Sequence, residues 1–175
     1  MDTQVAEINP VEVEKVVSAI KVELDVLHRF LDRLSDEQLN KVPYAESWTP
    51  GQLVRHIIKS MQGIGTVLTK SGKKADRDPG QQIPGLEQTF LDFSTKMKSP
   101  DYIVPENKQY EKAELIKQLD EVWHDLKQGV PTAQLDEFVE GFPAGEMTKW
   151  EMLNFILVHT KRHLHQMEKI CEALD

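Results

Sequence analysis

His159-Thr160-Lys161-Arg162-His163-Leu164-His165-Gln166, near the end of the chain, is the stretch on which the fold turns. It lies in a helical repeat running from Thr148 to about Leu174. There Met152, Ile156, His159, His163, Met167, Ile170 and Leu174 form one stripe. Four residues of α-helix carry His159 and His163 onto one face, about one turn apart. Two histidines thus occupy places in the repeat where core residues belong, and other helices must cover them.

Thr148-Lys149-Trp150-Glu151 gives this helix a capping-box start. Earlier in the chain, Asn9-Pro10 opens a long helix whose inner face is Val13, Val16, Val17, Ile20, Leu24, Leu27, Leu31 and Leu34. Ser35-Asp36-Glu37-Gln38 has the form of a second, short capped turn. Trp48-Thr49-Pro50 starts a helix that runs to about Lys70, with Leu53, Ile57, Met61, Ile64 and Leu68 inward and His56 at the edge of that stripe. A polar loop follows from Ser71 to Gly80. A shorter helix is expected from Gly85 to about Lys98, burying Leu86, Phe90, Phe93 and Met97, with Ser99-Pro100 as its stop. Asp101 to Tyr110 reads as a surface loop. Glu111 to Gln128 reads as a helix with Leu115, Leu119, Val122 and Leu126 inward and His124 in solvent. In the connection from Gly129 to Gly145, Phe138, Val139 and Phe142 are expected to fold back onto the core. No segment reads as a strand and no repeat appears. The expectation is an all-α chain, a bundle of four main helices with one additional short helix and long connections, forming a single domain over residues 1–175.

The totals narrow the function classes. The 175 residues are 29% charged and 39% hydrophobic, with a net charge of -8. Such a balance argues against a broad nucleic-acid interface, which needs clustered Lys and Arg. No apolar run approaches the roughly 20 residues of a membrane span. Residues 1–15 are acidic and lack the apolar core of a secretory signal, and the one cysteine, Cys171, cannot form an intramolecular disulfide. The expected location is the cytoplasm.

Histidine buried on a core stripe must have its nitrogens bonded. One solution is a divalent metal held by His159 and His163, with His56 as the third ligand. The other is separate histidines bonded to water and backbone. Three imidazoles would leave an ion with an open position for hydroxide or a thiolate, as catalytic sites do. Gln166, three residues past His163, and His28, beside Leu24 and Leu31, are candidate supports behind the ligands. Each also reads as an ordinary packing or boundary residue. His165 points about 200° away from His163 and is not expected to ligate. Cys171 lies eight residues beyond His163, too far along the helix to join the same ion, and reads as a small core residue. Thr160 follows His159 where an H-E-x-x-H metalloprotease carries its base, and no P-loop or G-x-S-x-G occurs.

Trp48-Thr49-Pro50-Gly51-Gln52-Leu53-Val54-Arg55-His56 resembles the helix opening of the DinB/YfiT-like superfamily, and His159-x-x-x-His163-x-x-Gln166 resembles its C-terminal signature. The resemblance implies a four-helix bundle with His56, His159 and His163 around a divalent ion, zinc or nickel, and a homodimer. Characterised members of the family it resembles include thiol-dependent S-transferases and isomerases that use low-molecular-weight thiols. With the open position on the three histidines, the expectation is a metal-dependent enzyme acting on a small molecule: a transferase of the thiol-dependent S-transferase type, with a low-molecular-weight thiol as partner, or a hydrolase. The alternative is a non-catalytic bundle that binds a small ligand or metal. Neither reading involves nucleic acid or membrane. The connection from Gly129 to Gly145 departs from the pattern, so the substrate does not carry over.

Overall fold

The computed structural model describes residues 7–139 and 146–174. Six α-helices form among them: α1 (Pro10–Arg33), α2 (Asp36–Leu39), α3 (Pro50–Leu68), α4 (Ile83–Phe90), α5 (Lys112–Gly129) and α6 (Lys149–Leu174). Helices α1, α3, α5 and α6 make the bundle. Helix α3 packs on α5 and α6, α1 packs on α6 and α5, and α4 lies on α6. The architecture is all-α, as the periodicity predicts.

The helix starts are set by local chemistry. The Asn9 side chain accepts from the Val11 N–H at 2.9 Å, with Pro10 at the first helical position. Thr49 and Gln52 close a reciprocal capping box at the head of α3, again ahead of a proline. Thr148 and Glu151 do the same for α6, at 2.9 and 3.1 Å. Each cap satisfies helix-end N–H groups and is worth about 1 kcal/mol. The stripes then meet as expected: Ile20, Leu24, Leu27 and Leu31 from α1, Leu53, Ile57 and Met61 from α3, Leu119 from α5 and Met167 and Ile170 from α6 are all fully buried.

Three features differ from the sequence reading. The short helix begins at Ile83 and stops at Phe90, eight residues before Lys98. The Asp92 carboxylate accepts from the Ser94 N–H and hydroxyl and from the Thr95 hydroxyl, and this local turn competes with helix continuation. Phe93 and Met97 are consequently 41% and 44% exposed rather than buried. Second, Phe138–Val139 (β1) pairs antiparallel with Met147–Thr148 (β2), a two-residue ladder too short to show an alternating pattern. Phe138 and Val139 are buried as expected, whereas Phe142 falls outside the described residues. Residues 73–75 join residues 136–138 through the Phe138 N–H to Lys73 and Ala75 N–H to Asp136 bonds, both 2.8 Å. A Cβ on Gly72 would lie 2.3 Å from the Phe138 carbonyl oxygen, so this close approach requires glycine. Third, the segment from Asp101 to Tyr110, exposed over most of its length as read, also turns residues inward. A 3₁₀ turn at Asp101–Ile103 buries Ile103, and Tyr110 is buried against α3.

Among the described residues, no helix is long and apolar enough to cross a membrane.

Candidate metal centre

Helix α3 presents His56 one turn after buried Leu53, and α6 presents His159 and His163 on successive turns of its inner face. All three rings are buried. Their Nε2 atoms converge: 3.1 Å from His56 to His159, 3.0 Å from His56 to His163 and 3.1 Å from His159 to His163.

What lies behind two of the rings fixes their tautomers. His56 Nδ1 is 2.9 Å from the Ile103 carbonyl oxygen, which can only accept, so the proton sits on Nδ1. The His163 Nδ1–H donates to Gln166 Oε1 at 2.9 Å. Each neutral ring therefore turns its Nε2 lone pair to the centre. The rings are also wedged sideways: Trp48 lies 4.9 Å from His56 between ring centroids, and Phe155 stacks on His159 at 5.0 Å.

Two lone pairs facing each other at this distance need a cation or a proton between them. An added proton, which would make one ring cationic, is disfavoured. Burial pushes the His163 pKa down to about 3, helped by His56 and opposed by its bond to Gln166. Burial lowers His159 well below the ordinary histidine value, and His163, His56 and Arg162 add to that. Burial also lowers His56, against the Ile103 bond. Neutral imidazole is the form that ligates metal. Nitrogens bound at about 2.0–2.1 Å to one ion stand about 2.9–3.4 Å apart for ligand angles between a right angle and tetrahedral. The observed separations fall within that span, so these three residues could hold a metal ion.

The triangle opens onto a cavity of about 1210 Å³. Trp48, Phe90, Met152 and Phe155 contribute apolar wall, and among the described lining residues Glu46 is the one carboxylate. The Arg162 guanidinium donates to the carbonyls of Phe90, Asp92 and Thr95, and Phe93 stacks on His165 at 4.1 Å. The segment after α4 is thereby clamped against α6 beside the histidines.

The structure thus brings together His56, His159, His163 and Gln166. It does not bring His28 to them: that ring bonds the Leu24 carbonyl at 2.9 Å and Asp120 at 3.0 Å, between α1 and α5. His165 lies off the triangle beneath Phe93, and Cys171 packs part-buried against the core. Sequence reasoning misses the Ile103 carbonyl, because a backbone group delivered by a loop 47 residues away leaves no mark in residue type. It also misses Phe155, though the same helical spacing places that ring one turn before His159.

Comparison with known proteins gives the chain a family. The model of the DinB superfamily matches residues 19–167. The uncharacterized protein YuaE of Bacillus subtilis (strain 168) is 28% identical over 152 residues, covering 83% of this chain and 90% of that one. No solved structure matches significantly. The chain belongs to the DinB superfamily.

Proposed function

We propose that this DinB-superfamily chain holds one divalent ion, zinc or nickel, on His56, His159 and His163, and works there as a thiol-dependent S-transferase or a hydrolase on a small molecule. The observation that carries the reading is the triangle of Nε2 atoms 3.0–3.1 Å apart, two of them with Nδ1–H bonds that leave the lone pair inward. A divalent ion in such a site supplies a Lewis acid that lowers the pKa of a water or thiol at its open position.

The chain's own residues divide the remaining work. Ile103 and Gln166 orient two of the rings and fix their tautomers. Trp48, Phe90 and Phe155 exclude water from the sides of the triangle. The cavity admits a small organic substrate to the same point. In the same reading the chain is one domain, forms a homodimer, works in the cytoplasm, and has no nucleic-acid or membrane partner.

A second reading, a bundle that binds a ligand without turning it over, is favoured by one observation. Among the described residues no carboxylate joins the three histidines, and Glu46 on the cavity wall is exposed in the loop before α3. Two experiments separate the readings. Untagged protein reconstituted with zinc or nickel is analysed for metal beside His159→Ala; bound metal in the wild type alone supports the site, and none in either defeats it. A panel of low-molecular-weight thiols with electrophilic co-substrates then tests turnover. Metal-dependent product formation supports the enzyme, and binding without product supports the second reading.

A further inference from the structure

We propose that the cavity over the three histidines takes an organic anion, an apolar aryl or alkyl body bearing a carboxylate, sulfonate or phosphate group. This names the ligand class for the site proposed above and rests on that reading only for which part of the cavity is the reacting end.

The charge of the cavity is opposite to that of the chain. The chain carries a net charge of -8. Yet Arg55, Lys59, Lys96, Lys98, Arg162 and Lys169 all line this cavity, against one carboxylate among the described lining residues, that of Glu46. Three of these cations have work within the fold: Arg55 and Lys59 pair with Glu106, and Arg162 holds the carbonyls after α4. Lys96, Lys98 and Lys169 have no ion-pair partner among the described residues. A cleft lined by one sign of charge focuses its field and concentrates ligands of the opposite sign.

The apolar part of the ligand has its own surface. Phe93 and Met97 lie 41% and 44% exposed, on the wall of the same cavity. They are not loose decoration, because the clamp described above fixes their segment. Arg162 binds its carbonyls and His165 stacks beneath Phe93. Lys169 stands one helical turn beyond His165, on the same face of α6. The clamp therefore collects exposed apolar side chains and unpaired ammonium groups at one mouth. A neutral ligand would use the first and leave the second without a counter-charge. A cationic ligand would be repelled.

The test uses one apolar body with three head groups: 4-phenylbutyrate, 4-phenylbutan-1-ol and 4-phenylbutylamine. Binding is measured by calorimetry on the full chain stripped of metal with a chelator, so the result stands apart from metal uptake. The acid is expected to bind about tenfold tighter than the alcohol, and the amine more weakly than either. In a Lys96→Gln/Lys98→Gln/Lys169→Gln variant the acid should fall to within about threefold of the alcohol, while the alcohol's own affinity holds. A Lys15→Gln/Lys21→Gln/Lys117→Gln variant changes the net charge equally away from the cavity and should keep the preference. Equal binding of acid and alcohol, a preference that survives the first variant, or no binding by any of the three overturns the proposal. Failure of the metal reading looks different: no stoichiometric ion uptake, with the head-group preference intact.

Discussion

His56 on α3 and His163 on α6, 107 residues apart in the chain, face each other Nε2 to Nε2 at 3.0 Å, while each commits its Nδ1–H to an oxygen behind it. The contact is repulsive for two neutral rings unless something positive joins them. Burial disfavours an added proton in that role, and a divalent ion would satisfy both lone pairs at once.

Gln166 should matter to the metal and hardly at all to the fold. Among the described residues its one hydrogen bond accepts the His163 Nδ1–H, and its side chain is part-buried at the cavity wall. Gln166→Ala is expected to weaken zinc or nickel binding by about 10- to 100-fold. Thermal melting of the metal-free protein should stay close to that of the wild type. A variant that melts early yet binds metal normally would assign Gln166 to packing.

The fully buried Glu151 carboxylate is satisfied from four directions. Arg77 binds it with both guanidinium ends at 2.7 and 2.8 Å, and the backbone N–H groups of Gln82 and Thr148 donate at 2.8 and 2.9 Å. This network ties the loop after α3 to the head of α6. Arg77→Met removes the cation and leaves the buried charge without its counter-ion. A loss of about 3–5 kcal/mol is expected in urea unfolding, and removing both partners together should cost less than the sum of the single changes.

The bundle itself was legible because it is written in spacing. The stripes of α1, α3, α5 and α6 and the caps at Asn9, Thr49 and Thr148 are local signals, and the structure has each of them. The His159–His163 spacing was legible for the same reason. Phe93 and Met97 continue the helical pattern of Leu86 and Phe90, yet Asp92 breaks the helix with its own side chain. Periodicity does not register that competition. Ile103 is a different case: its carbonyl acts on His56, and any residue type would supply the same group. His28 has a core-edge phase like that of His56, but only the packing of α1 on α5 shows that it answers to Asp120.

Glu106 gives the fold an acid-sensitive latch between α3 and the loop before α5. Burial opposes its charged form, but its own backbone N–H and the Arg55 and Lys59 side chains outweigh that, lowering the carboxyl from 4.5 to about 2. A depressed native pKa contributes stability that is complete above pH 4.5 and is lost as the pH falls through about 2. Glu106→Gln should therefore melt below the wild type at pH 7, and the two curves should converge between pH 4.5 and 2. A gap that stays constant over that window would show that the carboxylate contributes nothing by its charge.

Thr160 Oγ1 is buried without a hydrogen-bond partner, the one such side-chain atom among the described residues. Thr160→Val replaces the hydroxyl by a methyl of similar shape and removes a desolvated polar group. The metal-free protein should become more stable by about 1 kcal/mol, seen as a higher melting temperature. A lower melting temperature would mean that the hydroxyl is bonded in solution.

The central claim is that one ion sits on three histidines drawn from two helices. Diffraction from crystals soaked in zinc, with data collected on both sides of the zinc absorption edge, tests it most directly. The account predicts one strong anomalous peak per chain, about 2.0–2.1 Å from the Nε2 atoms of His56, His159 and His163, and no such peak in His56→Ala. A peak that lies elsewhere, for example between His28 and Asp120, or the absence of any peak at full zinc loading, would contradict it.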